Sequence, residues 1–436
     1  MKLQPGYKYL HVACVFLLLH SVVMVNTAQA AGFQLLEQSV TGLGRSFAGS
    51  SLAADDASAA FYNPADMWLL DKKNHLQMGA TYIKTHNQFA GSYVSPLPGA
   101  SGTDEESSST EGVIPQLHWV GSLNDDWRMG LSITAPFGLA TEYNSQWLGR
   151  YETVSSEIKT TDVNPSLAYK VSDQLYVGAG VSWQYAEATL EQSVNRFSFA
   201  GAPLFLVSGQ DGRAKITGND AAWGYNLGAT WVPDADLRLS LTYRSKVEHT
   251  LDGEREIDGL TGGAAVLNGI EKGSANLTLP EITSFNVWQK LDDRTAVMFS
   301  LRHTEWSRYK ELRVVYDNPA LPDTVEVQNW HNTWSASFGT DYQLNETVKL
   351  RAGLGYDESP VPNSDYRSPR LPATYNTWFS AGLSWQLSKQ MTMDVAYMYV
   401  DGKNANINYT GGAGQLTGEY RDTYANEFGV QLQYLF

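Results

Sequence analysis

Apolar and polar residues alternate with period two through most of the chain. Trp127, Met129, Leu131 and Ile133 fall on one parity, and Arg128, Gly130, Ser132 and Thr134 on the other, which is the pattern of a strand with one apolar face. The alternation returns in Leu175, Val177, Ala179, Val181 and Trp183, in Leu237, Leu239, Leu241 and Tyr243, and in Val348, Leu350, Ala352, Leu354 and Tyr356. It closes the chain, with Tyr424, Phe428, Val430, Leu432, Tyr434 and Phe436 set against Glu427, Gly429, Gln431 and Gln433. Followed throughout, it predicts about fourteen strands of roughly ten or more residues each, long for a soluble sandwich.

The connections decide between a sandwich and a barrel. Six are tight and polar: Asn124-Asp125-Asp126, Ser172-Asp173, Pro233-Asp234-Ala235-Asp236, Asp292-Asp293, Asn345-Glu346 and Ser388-Lys389. Between them lie long loops around Asn87–Gly112, Asn144–Ser155, Glu191–Asp220, Asp252–Gly273, Arg308–Asn329, Glu358–Thr374 and Asp401–Arg421. Strict alternation of short and long connections is expected of a membrane barrel with brief periplasmic turns and long extracellular loops, and an even strand number returns both termini to the periplasm. Trp and Tyr near strand ends, such as Trp119, Trp127, Trp231, Trp334, Trp385 and Tyr434, suit interfacial girdles. The predicted fold is all-β: a 14-stranded antiparallel transmembrane β-barrel over residues 73–436, in the outer membrane of a Gram-negative bacterium. The barrel would be surrounded by outer-membrane lipid and lipopolysaccharide. Its terminal aromatic strand, ending in Phe436, would be the signal for the barrel assembly machinery.

The N-terminus differs in kind. Lys2 and Lys8, an apolar run from Val12 to Val25 and Ala28-Gln29-Ala30 form a signal peptide over residues 1–30. Residues 31–72 lack strand periodicity. Their apolar content favours a folded hatch inside the lumen over a disordered tail.

Composition narrows the function. With 31 Lys+Arg against 46 Asp+Glu the net charge is -15, and losing Lys2 and Lys8 makes it more negative, so nucleic acid is excluded as a partner. The single cysteine, Cys14, lies in the leader; no disulfide or thiolate metal chemistry is expected. His75, His86, His118, His249, His303 and His331 stand singly, without a Gly-x-Ser-x-Gly elbow or a His-Glu-x-x-His pair. Neither catalysis nor a cofactor or metal is therefore expected. A general aqueous porin would not need the N-terminal plug.

In its ordered features the chain resembles the FadL family of outer-membrane transporters. They are Ala31-Gly32-Phe33-Gln34-Leu35, Gly42-Leu43-Gly44-Arg45, Ala54-Asp55-Asp56-Ala57 and Asn63-Pro64-Ala65, then Phe137-Gly138-Leu139-Ala140-Thr141-Glu142-Tyr143, Leu241-Thr242-Tyr243-Arg244-Ser245, Leu279-Pro280-Glu281 and Tyr356-Asp357-Glu358-Ser359-Pro360. The resemblance implies a monomeric barrel closed by a hatch that is fixed at Asn63, Pro64 and Ala65, with a kinked third strand at Pro136, Phe137 and Gly138. It further implies passive uptake of long-chain fatty acids: capture at an extracellular groove, transfer to a luminal pocket and lateral exit at the kink. Related members import aromatic hydrocarbons, so that substrate stays open. Where the family carries a pocket arginine, between Tyr185 and Gln192, this chain offers Glu187 and Glu191.

Candidate ligand residues follow from chemistry, since an amphiphile needs an apolar slot for its tail and a cation or donors for its head. Phe197, Phe199, Leu204, Phe205 and Leu206 make an unusually apolar outward loop and are the candidate capture groove; packing over the barrel mouth is the alternative. Inward parity places Arg244, Arg302 and Arg351 in the lumen, where they pair either with a carboxylate ligand or with wall carboxylates such as Asp394 and Glu427. Phe33, in the hatch opening, completes the candidate ligand set. Pro136 and Gly138 interrupt a strand, as a lateral opening or as an ordinary barrel corner.

Overall fold

The computed structural model describes residues 32–49, 51–71, 73–97, 99–196 and 208–436. The expected leader lies outside them, and so do Phe197, Phe199, Leu204, Phe205 and Leu206 of the expected capture groove.

The alternating segments form fourteen antiparallel strands closed into one barrel. They are β1 (His75–Val94), β2 (Gly102–Ser108 and Glu111–Ser122), β3 (Trp127–Thr134 and Gly138–Glu142), β4 (Ser155–Lys170), β5 (Leu175–Val194), β6 (Gly212–Trp231) and β7 (Leu237–Arg244 and Val247–Asp258). The second half comprises β8 (Gly269–Leu279 and Ile282–Lys290), β9 (Thr295–Thr304 and Glu311–Tyr316), β10 (Thr324–Val327 and Thr333–Gln343), β11 (Val348–Asp357), β12 (Asn376–Gln386), β13 (Met391–Gly402 and Ala405–Thr410) and β14 (Gln415–Leu435). Closure comes from β1 pairing with β14, from His75↔Leu435 to Val94↔Gln415, with one irregularity between His86 and Gln88. Pairing of the first strand with the last leaves no free end strand, as hydrocarbon requires.

Side-chain parity is inverted relative to a soluble protein. On β14 the apolar Phe428, Val430, Leu432 and Tyr434 are exposed toward lipid, while Glu427, Gln431 and Gln433 are buried toward the lumen. The short turns are held by side chains that mimic backbone. Asn124 Oδ1 accepts from the backbone N–H of Asp126 and Trp127 at 2.8 and 2.9 Å. Asp234, Asp292 and Asn345 make the same pair of bonds, as short polar side chains at turns do.

On the opposite rim the ladders run further than alternation indicated. Residues expected in the loop after Asp252 pair from Asp252↔Asn219 to Asp258↔Arg213, and β1 continues to Val94. Above the bilayer both faces of a strand meet water, so the apolar–polar signal fades while backbone pairing persists.

The residues preceding β1 fold inside the barrel as short elements: α1 (Val40–Leu43), α2 (Ala59–Tyr62) and a 3₁₀ turn (Pro64–Leu69). Phe33, Leu35, Val40, Leu43, Phe47, Ala60 and Met67 are all buried. Close docking depends on luminal glycines. A methyl group on Gly228 would meet Asn63 Oδ1 at 1.8 Å, and one on Gly353 would meet the Arg45 carbonyl carbon at 2.3 Å.

Candidate functional site

The hatch is anchored at two places. At the first, Asn63 Oδ1 accepts from Ala65 N at 3.1 Å, while its Nδ2 donates to Asp66 Oδ1 at 2.8 Å and to Thr230 Oγ1 of β6 at 2.9 Å. The Asn63-Pro64-Ala65 turn thus caps the 3₁₀ turn and ties it to the wall. At the second, Asp55 of the hatch receives Lys349 Nζ at 2.6 Å, Arg45 at 2.9 Å and Arg351 at 3.1 Å. Asp341 and Asp394 of the wall complete the network. Burial opposes ionisation of Asp55, but Lys349, Arg351 and Arg45 together hold its carboxyl well below the usual carboxylate range. Arg351, expected as a possible ligand contact, is therefore committed to carboxylates and is not among the residues lining the cavities described below.

Arg244 and Arg302 stand elsewhere. Both line a cavity between hatch and wall, together with Gln34, Leu35, Leu36, Phe61, Tyr62 and Pro136. Arg244 Nη2 donates to the Phe61 carbonyl at 2.9 Å, and its guanidinium lies 4.2 Å over the Phe61 ring. Arg302 makes no hydrogen bond, and neither arginine has an ion-pair partner within 4.0 Å, among the described residues. The cavity therefore presents positive charge without a protein carboxylate bound to it.

Outward of this cavity the lumen is apolar. Two slots share Ala188, Leu190, Leu251 and Leu312 and so form one track. The inner slot ends at Tyr309 and at Arg370, whose Nε donates to Glu326 at 3.1 Å. Between track and cavity sits Phe33, fully buried. Its ring is 4.8 Å from Trp306, 5.7 Å from Tyr309, 5.9 Å from Trp330 and 6.2 Å from Phe137. Sequence reasoning named Phe33 and Phe137 but missed the cage as a unit, because its members come from the hatch, β3 and the irregular segments around β9 and β10.

Pro136 interrupts the wall beside the cavity. The β3–β4 ladder stops at Thr134↔Asp162 and resumes at Gly138↔Lys159, so that Ala135, Pro136 and Phe137 oppose Thr160 and Thr161. On its other side β3 pairs with β2 from Ser122↔Arg128 only as far as Leu117↔Ile133. In place of the missing ladder, Leu35 N donates to Pro136 O and Gly138 N to Phe33 O, both at 2.9 Å.

A family model described as outer membrane protein transport protein (OMPP1/FadL/TodX) matches residues 21–436. The chain belongs to this family. Members are outer-membrane transport channels and not enzymes, as the absence of catalytic motifs led us to expect. The long-chain fatty acid transport protein of Escherichia coli is 29% identical over 424 residues, covering 89% of this chain and 92% of that one. Outer membrane protein P1 of Haemophilus influenzae is 29% identical over 448 residues, covering 94% and 96%. Among solved structures, a Pseudomonas aeruginosa FadL homologue superposes with a TM-score of 0.83 at 24% identity, covering 93% of this chain and 99% of that one. The Pseudomonas putida toluene transporter TodX gives 0.70 at 19% identity, covering 93% and 100%. These likenesses establish the fold and a FadL-type carrier of hydrophobic compounds in the outer membrane, with both fatty-acid and aromatic-hydrocarbon transporters among its relatives.

Proposed function

We propose that the protein carries long-chain fatty acids passively, from the apolar track past Phe33 to the cavity at Arg244 and Arg302, and out sideways at Pro136. The observation that supports the fatty-acid branch is the pair of arginines without ion-pair partners on a mixed polar and apolar cavity. Withdrawing a guanidinium from water without a bonded carboxylate is costly, and a ligand carboxylate supplies one; a hydrocarbon does not. The name of the Escherichia coli relative agrees with this choice. Capture would begin on the outer slot beside Leu190 and Ile216.

The test is equilibrium binding of radiolabelled oleate and toluene to the purified protein, with Arg244→Met and Arg302→Met beside the parent. Loss of one charge-assisted contact should weaken oleate by roughly tenfold and leave toluene unchanged. Toluene binding without oleate would move the protein to the hydrocarbon branch.

A further inference from the structure

The wall between β2 and β3 is closed by one hatch residue more than by any other. Gln38 is fully buried. Its side-chain amide donates to Ala135 O at 2.8 Å and accepts from Ala135 N at 3.3 Å, which is the pair of bonds a neighbouring strand would have made to that residue. Its own carbonyl accepts from His118 Nε2 of β2 at 2.9 Å, while His118 Nδ1 meets Ser132 Oγ of β3 at 2.9 Å. Because a carbonyl only accepts, the His118 proton sits on Nε2 and Ser132 donates. Gln38 thus ties both sides of the gap, just beyond the last paired rung, Leu117↔Ile133.

The next rung in register would be Gln116 with Thr134. Both are buried, and neither the Gln116 amide nor the Thr134 hydroxyl has a hydrogen-bond partner among the described residues. Unpaired buried polar groups raise the free energy of the state that contains them. The closed wall therefore carries a cost at this rung that a rearrangement can relieve.

We propose that Gln38 is the latch of the lateral exit: its release from Ala135 and His118 frees the Phe33–Gln38 segment from the kink, and Gln116 steadies the opened edge. This rests on the route proposed above. It assigns the regulation of exit to one side chain rather than to movement of the whole hatch.

The latch is tested with Gln38→Met, which keeps the length of the side chain but offers neither bond, and with Gln116→Leu. Binding and transfer to acceptor vesicles of phosphatidylcholine are measured for oleate and for toluene. Whichever probe binds the parent, Gln38→Met should transfer it roughly three- to tenfold faster, the effect of one or two hydrogen bonds, with its affinity within twofold. Gln116→Leu should slow transfer. Unchanged or slower transfer by Gln38→Met at retained affinity would overturn the proposal. Failure of oleate to bind would sink the fatty-acid reading alone and leave the latch to be judged with toluene. The unmodified protein gives a second measurement independent of folding of the variants: ligand should speed hydrogen exchange at the Ala135 and Gly138 amides, and unchanged exchange there would also overturn the latch.

Discussion

At Gly228 a single added methyl group would collide with Asn63 Oδ1, the atom that accepts from Ala65 N. Gly228→Ala should displace the hatch turn and cost about 1–3 kcal/mol of hatch docking, as overpacking does. The measurement is hydrogen exchange at hatch amides, which should speed while the strand amides stay protected. Asp55 offers the complementary experiment, because Asp55→Asn leaves Arg45, Lys349 and Arg351 sharing too few carboxylates. Breaking a buried pair from one side costs about 3–5 kcal/mol, so a chymotrypsin digest should then cut the hatch and spare the barrel. An uncut hatch would show that Asp341 and Asp394 suffice. Residue by residue, the sequence disclosed parity but not partnership. Arg244, Arg302 and Arg351 look alike along their strands, and only the fold shows Arg351 beside Asp55 and Arg302 beside open cavity.

Among the elements, β3 was the most legible irregularity, since proline and glycine in a strand announce broken pairing by chemistry alone. What fills the break was not legible. Gln38 and Glu37 are ordinary polar residues in a stretch without periodicity, and their roles depend on strands far away in sequence. Glu37 gives the hatch segment a pH dependence. Burial lifts its carboxyl from 4.5 to about 7, against backbone hydrogen bonds, a hydrogen bond with Glu427 and the charge of Arg302. A docked hatch therefore holds a proton that a released one gives up. Docking is at full strength below about pH 4.5, weakens as pH rises toward 7 and is level beyond that. Amides of the Phe33–Gln38 segment, corrected for intrinsic exchange, should be better protected at pH 5 than at pH 8, and Glu37→Gln should shrink the difference. Equal protection at both pH values would mean that this carboxyl ionises without loosening the segment.

For the molecule as a whole, strand number, closure and the gathering of the short turns on one rim were all present in the sequence, because hydrocarbon imposes period two on every spanning segment. The extended outer ladders were not, because water removes that constraint. The route proposed for the ligand runs downhill through sites of one chain, so oleate uptake into liposomes should persist without any ion gradient or nucleotide. Uptake that stops when gradients are collapsed would show that an energy input is needed.

The charge network at Asp55 has a consequence for what the outer membrane lets through. A plug that left the lumen would have to part Asp55 from Lys349 and Arg351, and Arg45 from Asp341, so on the route proposed above the base of the hatch would serve as a hinge and only its first few residues as a flap. Such a flap would admit one slender molecule at a time without baring an aqueous bore. On that reading the cell would gain a door for greasy nutrients that stays shut to dissolved salts and hydrophilic antibiotics even while it is in use.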